Sequence, residues 1–134
     1  MIRLLFILNI MVSVLFASIG KVSAVSGSAF IERNNTLINV ILGLDIEEKD
    51  ILSTKNNSKV QLIFNDNTII TIGKNSSLDI NEYLYDAQTP KNSKVNFNFF
   101  KGAFKSVTGT IGKLNKKKFV LKTKSASIGI RGTV

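Results

Sequence analysis

Apolar and polar residues alternate along most of this chain with a period of two, which is the period of a half-buried β-strand. The clearest case lies within Ser58–Ile80, where two such runs are joined by Asn65-Asp66-Asn67. The first run alternates, with one exception, from Val60 to Phe64, and the second is the apolar run Thr68–Ile72. Two runs joined by a short Asn/Asp segment predict a β-hairpin, with Asn67 at positive φ.

The same pattern recurs along the rest of the chain and predicts further strands. A first hairpin is predicted around the turn Asn34-Asn35, and Gly73 and Gly102 are predicted to turn the chain at positive φ. Gly43–Asp50 is predicted to form a loop or a single helical turn, and loops are predicted at Asp86–Asn92 and Gly109–Lys118. The remaining strand segments are Ser28–Arg33, Thr36–Leu42, Leu78–Asn81, Val95–Phe99, Ala103–Thr108, Phe119–Lys122 and Ser125–Ile130. About eight to ten such short strands predict an all-β domain, and their spacing is typical of sandwiches, barrels or solenoids. We expect short antiparallel strands in a sandwich- or solenoid-like fold.

The first 24 residues differ from the rest and have the pattern of an export signal. Arg3 supplies a positive charge, Leu4–Phe16 is apolar, and Val22-Ser23-Ala24 offers small residues before a cut at Val25. This predicts a helical signal peptide at 1–24, a β domain at 25–134, and a periplasmic or secreted protein. The alternative is an uncleaved membrane anchor at residues 4–19, and membrane contact is expected only in that case.

The composition excludes several kinds of chemistry. The chain has no cysteine and no histidine, so it cannot form disulfides, Cys/His zinc sites or an imidazole-based catalytic triad. We expect no cofactor and no catalytic residue.

Charge is distributed unevenly along the chain. Val25–Asp86 holds five basic and nine acidic residues, whereas the chain from Ala87 onward holds eleven basic and no acidic residues. Solvated lysines that protect strand edges explain this pattern, and a cationic face for an anionic surface is the alternative. Because nearly all the positive charge is lysine rather than arginine, bidentate phosphate recognition and a nucleic-acid partner are not expected.

Three groups of charged residues are candidates for chemistry. The acidic cluster in 45–50 invites a calcium hypothesis, but its spacing does not match an EF-hand loop, so we expect no metal site. Asp79 and Glu82 resemble a carboxylate acid/base pair, but residues three apart on a regular strand point to opposite faces. Lys116-Lys117-Lys118 is interpreted as an exposed turn, with an anionic lipid or polysaccharide contact as the alternative.

The order of these motifs resembles that of the FecR domain family of bacterial extracytoplasmic proteins. The resemblance spans about Thr36–Val134, and its most specific part is the ending Ala126-Ser127-Ile128-Gly129-Ile130-Arg131-Gly132-Thr133. The residues that carry the family motif are Asp66, Thr68, Ser77, Gly102, Gly129, Arg131, Gly132 and Thr133. We expect a structural role for all of them, and for Arg131 an ion pair with a carboxylate of the acidic half.

The sequence also departs from the family pattern. Asp66-Asn67-Thr68 stands where members usually have Asp-Gly-Thr, and Lys49-Asp50 where they have Gly-Asp. Members continue into a further strand after Arg-Gly-Thr, so the chain is expected to be a fragment or a truncated product.

The resemblance implies a non-catalytic exported domain for protein or ligand interaction or signal sensing in the bacterial envelope. Another envelope protein or an anionic surface is the expected partner. The alternative is one part of a FecR-type transmembrane system that regulates a sigma factor. A third hypothesis is a small envelope hydrolase that uses Asp79 and Glu82.

Overall fold

The computed structural model describes residues 18–107, 109–114, 118–123 and 127–129. Within these residues the chain forms twelve β-strands, a single 3-10 turn at Pro90–Asn92 and a five-residue helix, α1 (Thr110–Leu114). The strands are β1 (Gly20–Ser26), β2 (Ala29–Arg33), β3 (Thr36–Asn39), β4 (Asp45–Ile46), β5 (Ile51–Thr54), β6 (Lys59–Phe64), β7 (Ile69–Ile72), β8 (Ser77–Leu84), β9 (Lys94–Lys101), β10 (Phe104–Val107), β11 (Phe119–Thr123) and β12 (Ser127–Gly129). The predicted all-β class is therefore confirmed.

The described strands form two sheets packed face to face. Sheet A has the order β10-β7-β6-β1-β4, and sheet B has the order β12-β11-β9-β8-β5-β2-β3. Pairing is antiparallel throughout the described strands, except that β9 and β11 are parallel. The chain passes from one sheet to the other several times, so neighbours in sequence often lie in different sheets.

The core lies between the two sheets and is made by the inward half of each alternating run. In β6 and β7 the buried residues are Val60, Leu62, Phe64, Ile70 and Ile72. Burying each such side chain stabilises the fold by about 1.5–3 kcal/mol relative to leaving it in water. The period-two pattern exists because each strand has one face on this core.

Both predicted hairpins are present, and their turns explain why they form. Asn34 and Asn35 both have positive φ, at 51° and 61°, which gives β2–β3 a two-residue turn whose twist matches the strands. In the β6–β7 hairpin Asn67 has a φ of 68°, as predicted. Asparagine tolerates this left-handed conformation better than most other non-glycine residues.

Four local predictions differ from the structure. Gly73 does not have positive φ, and Asn75, at 48°, makes that turn instead. The predicted loops at 43–50 and 109–118 contain β4 and α1, respectively. The strand predicted at Leu78–Asn81, as a continuation of the central hairpin, lies within β8. It belongs to sheet B and not to the sheet of the β6–β7 hairpin, because the turn at Lys74-Asn75 carries the chain across the core.

Strand β1 overlaps the end of the predicted signal peptide. It begins at Gly20, lies between β6 and β4 in sheet A, and buries Val22 at 1% exposure. Ile19, just before it, also packs in the core. Cleavage after Ala24 stays a prediction, but it would remove most of a strand that sheet A needs.

Where the chain crosses between sheets, a glycine packs against a serine of a neighbouring turn. Gly27, between β1 and β2, faces Ser58, and Gly102, between β9 and β10, faces Ser76. Both glycines have positive φ, and each serine follows an asparagine that also has positive φ. The Ser58 hydroxyl accepts the backbone N–H of Ser28 at 2.9 Å, and a Cβ on Gly102 would overlap the Ser76 hydroxyl. Each crossing thus requires glycine for two reasons, conformation and space.

We predict that Gly102→Ala destabilises the protein much more than Gly43→Ala. Both positions have positive φ, which costs a side chain roughly 1–2 kcal/mol. A Cβ on Gly43 would meet nothing within 4 Å, whereas a Cβ on Gly102 meets Ser76, which adds about 1–3 kcal/mol of overpacking. Urea unfolding of both variants measures the difference, and equal losses of stability would contradict the packing argument.

Candidate functional site

The β6–β7 turn places one carboxyl group, that of Asp66, in the interior. Asp66 and Thr68 are both fully buried, with 0% exposure. The turn folds this way because Asn67 takes positive φ, which brings the Thr68 hydroxyl back to within 2.8 Å of an Asp66 carboxylate oxygen. A buried charge of this kind is tolerated only when it is fully hydrogen-bonded.

Donors from three parts of the chain reach the Asp66 carboxylate. The Tyr83 hydroxyl donates to Oδ1 at 2.7 Å, and the backbone N–H of Thr68 donates to Oδ1 at 3.2 Å. The backbone N–H of Ile111 donates to Oδ2 at 3.0 Å, so the carboxylate also binds the first turn of α1. Asp66 therefore joins sheet A to strand β8 of sheet B and to the helix. We call Asp66, Thr68 and Tyr83 the Asp66 anchor.

Gly109 lets the segment before α1 approach the anchor closely. Its N–H donates to the Thr68 hydroxyl at 3.2 Å, and the N–H of Thr110 donates to the backbone oxygen of Asp66 at 2.8 Å. A Cβ on Gly109 would collide with the backbone of Asp66 and Thr68. The anchor is closed to solvent on this side, so its chemistry is structural.

The other residues of the predicted motif have separate positions. Ser77 begins β8 and lies half-buried opposite Ser53, while the hydroxyl that bonds at this turn belongs to the preceding residue, Ser76. Gly102 makes the crossing described above, and Gly129 pairs with Val120 in sheet B. Arg131, Gly132, Thr133 and the ion pair predicted for Arg131 lie outside the described residues.

A comparison with models of known protein families gives a match over the second part of the chain. The model described as FecR protein matches residues 50–134, which is more than half of the chain. This chain belongs to the FecR family. FecR proteins are a signalling family associated with the cell envelope. No curated protein and no solved structure matches the chain.

The acidic cluster of this FecR-family chain binds the guanidinium group of Arg33. Asp50 is fully buried, and it accepts two hydrogen bonds from Arg33, at 2.8 Å from Nε and 2.7 Å from the terminal nitrogen. Glu47 pairs with the same guanidinium. No group of three or more potential metal ligands is present among the described residues. The hydrogen bond from Arg33 to Asp50 is the main cause that raises the pKa of the guanidinium.

Asp79 and Glu82 lie on one face of sheet B, contrary to the argument from strand geometry. The register of β8 against β9 shifts between Ile80 and Glu82, so that Asp79 pairs with Asn98 and Glu82 with Asn96. This bulge adds a residue and returns Glu82 to the outer face. The sequence alone contained no signal for it.

The two carboxyl groups have different surroundings. Partial burial is the main cause that raises the pKa of the Asp79 carboxyl group, and a hydrogen bond with Asn98 opposes the rise. Glu82 is paired with Lys94 at 2.7 Å. The pair therefore sits on an open sheet face, with one carboxylate already neutralised by a lysine.

The outer edge of sheet B carries exposed apolar residues. Strand β3 is the last strand on that side, and Leu37 within it is 71% exposed. Ile41 and Leu42 follow at 61% and 68%. Thr36–Leu42 contains no charged residue and no proline, which are the usual protections of an open edge. One side of β3 pairs with no strand among the described residues. We call this side of β3, together with Leu37, Ile41 and Leu42, the β3 edge.

The Asp66 anchor predicts a specific loss of stability at alkaline pH. Burial, together with the hydrogen bond to Asp66, raises the pKa of the Tyr83 phenol well above its ordinary value of 10.0. Above about pH 10 the unfolded chain loses this proton and the folded chain keeps it, so the free energy of unfolding falls with rising pH. The expected contribution of Tyr83 is about 1.4 kcal/mol per pH unit.

Urea unfolding between pH 9 and 11, compared across tyrosine variants, measures this contribution. Tyr83→Phe is expected to be less stable at neutral pH, by about 1–2 kcal/mol for the lost hydrogen bond. It is also expected to have a shallower pH dependence than the unchanged protein. Tyr85→Phe, a change of the same kind two residues away, is expected to keep the original slope. Identical slopes for all three proteins would contradict the assignment.

Proposed function

We propose that this chain is an exported, non-catalytic FecR-family domain that binds another protein of the bacterial envelope as part of signal sensing. Family membership supports the signalling role. The β3 edge is the single observation that carries the binding role. A strand that has one neighbour among the described strands, with an exposed apolar side chain on it and two more just after it, is a template for another strand.

The surroundings of the β3 edge suit an added strand. Beside Leu37 lies a hollow of about 320 Å³ on the outer face of sheet B, with Phe30 and Ile51 in its floor and Lys55 at its rim. The Lys55 ammonium group lies 5.5 Å from the centroid of the Phe30 ring. A partner strand paired with β3 would place every second side chain next to Leu37 and this hollow.

The carboxylates support a role without catalysis. Asp66 and Asp50 are buried and occupied by structural hydrogen bonds, and Glu82 is paired with Lys94. General acid/base catalysis needs groups that reach a bound substrate. Asp79 is half-buried on the outer face of sheet B, and the partner that the hydrolase hypothesis assigns to it, Glu82, is already paired with Lys94. Asp79 and Glu82 therefore do not form the free carboxylate pair that this hypothesis requires.

Photo-crosslinking in the cells that make the protein tests the binding role. A photoreactive residue replaces Leu37, and in the control it replaces Val107, which is 50% exposed on β10, an edge strand of sheet A. We expect an adduct of one discrete mass from position 37 and none from position 107. A crosslinker at Ile41 is expected to lose its adduct when Leu37→Lys is added, since a charge on the edge opposes strand pairing. Absence of an adduct at position 37, or equal labelling at both edges, would refute the proposal.

Export is tested by the location and the N-terminus of the mature protein. Among the described residues no helix is long and apolar enough to cross a membrane. We expect the protein in the envelope or medium fraction, with a mature N-terminus at or before Ser18, because Ile19 and Val22 pack in the core. N-terminal sequencing after fractionation measures both. A protein confined to the cytoplasm would contradict export, and a mature N-terminus at Val25 would contradict the need for β1.

A further inference from the structure

A shallow groove crosses the outer face of sheet A. It has a volume of about 370 Å³ and spans four strands. Lys105, Thr71, Gln61 and Ala24 lie side by side in one cross-strand row, supplied by β10, β7, β6 and β1 in turn. Lys59, two residues before Gln61, lies on the same face. We call this the sheet A groove, and its lining residues are Ala24, Val25, Ser26, Lys59, Gln61, Thr71 and Lys105.

The sheet A groove has positive charge without a carboxylate to balance it. None of its lining residues is acidic, and neither Lys59 nor Lys105 takes part in an ion pair among the described residues. The acidic side chain of the neighbouring strand β4, Asp45, lies 3.8 Å from Lys21. The ammonium groups of Lys59 on β6 and Lys105 on β10 therefore both face solvent, with β7 between their strands. An anion bound between them would lower their mutual repulsion.

The neutral side chains of the groove add hydrogen-bond donors. Strand β1 has a bulge between Val22 and Ala24, which places Ser23 beside Gln61. The Ser23 hydroxyl donates to the Gln61 amide oxygen at 3.2 Å, so the NH₂ group of Gln61 is left without a partner among the described residues. Lysine and amide NH₂ groups are donors only, and the Thr71 hydroxyl can donate as well. The groove thus suits a ligand that is rich in acceptors.

We propose that the sheet A groove binds an acidic polysaccharide. The carboxylate groups of the polysaccharide contact the ammonium groups of Lys59 and Lys105, and its hydroxyl groups accept hydrogen bonds from Gln61 and Thr71. The proposal deepens the envelope-binding role proposed above and rests on it for the location of the ligand. It uses a different surface from the β3 edge.

Two other kinds of ligand fit the groove less well. The largest apolar side chain in the lining is Val25, and there is no aromatic residue, so the groove has nothing to insert among lipid chains. An acidic peptide would gain main-chain hydrogen bonds only at an open edge. Three of the four strands under the groove, β6, β7 and β1, have backbones that are paired on both sides, and β10 alone of the four is at an edge of the described sheet. A carbohydrate uses both the charges and the neutral donors.

The test measures the binding of oligogalacturonate to the mature exported protein by calorimetry at low salt. In the groove variant Lys59→Gln and Lys105→Gln are combined. Its matched control combines Lys74→Gln and Lys122→Gln, which removes the same charge from exposed positions outside the groove. We expect roughly tenfold weaker binding for the groove variant and less than about twofold for the control. Equal losses in the two variants would mean general attraction to a basic protein and would overturn the proposal.

A second variant and other probes separate the remaining outcomes. Gln61→Ala keeps every charge and is expected to weaken binding by about threefold without changing its salt dependence. Neutral galactan is expected not to bind. Failure of the unchanged protein to bind oligogalacturonate would overturn the proposal. So would equal or tighter groove-dependent binding of polyglutamate or of vesicles that contain anionic lipid. Crosslinking at Leu37 is independent of these results, so a failure here leaves the protein-binding role standing.

Discussion

The carboxylate of Asp66 is the constraint on which the rest of this structure depends. It lies in the turn of a sheet A hairpin and accepts hydrogen bonds from β8 of sheet B and from the first turn of α1. If one donor is removed, the buried carboxylate loses a hydrogen bond that water cannot replace, and the protein loses stability. Every donor is therefore needed. The position of the two sheets relative to each other at this end of the sandwich thus depends on one side chain. Gly109, the Asn67 turn and the Tyr83 ring are all arranged around it.

The same local device closes three corners of the fold. In each, an asparagine with positive φ precedes a serine or threonine: Asn57-Ser58, Asn67-Thr68 and Asn75-Ser76. Each of these hydroxyl groups accepts a backbone N–H from a distant segment that contains a glycine. Asparagine holds the turn, the hydroxyl replaces a backbone partner, and glycine gives the crossing chain room. The two buried aspartates are stabilised in a related way. Arg33 donates hydrogen bonds to the Asp50 carboxylate, and hydroxyl and backbone N–H groups donate to the Asp66 carboxylate.

These interior bonds leave the outer surfaces free for contact with other molecules. The β3 edge and the sheet A groove differ in chemistry: the first is apolar and has free backbone groups, and the second is polar and cationic. The groove also joins the two halves of the chain, because Lys59 comes from the acidic half and Lys105 from the basic half. Strands from the basic half lie together at one side of each sheet, as β10 in sheet A and as β12, β11 and β9 in sheet B. The groove lies where β10 meets strands of the acidic half in sheet A.

The sequence by itself determined most of the strands, both hairpins and the family, because alternation and Asn-rich turns are local signals that act within a few residues. It did not predict β1 or β4. It also indicated that Asp66 and Thr68 matter, through the Asp-x-Thr pattern. Only the tertiary structure decided which residues meet them: Tyr83 lies 17 residues from Asp66 and Ile111 lies 45 residues away. In the same way, it assigned β8 to sheet B, placed Asp50 on Arg33 and turned Glu82 to the face of Asp79. A period of two records which side of a strand is buried, but it does not record the neighbouring strand, the register or a bulge, and these depend on packing between distant segments.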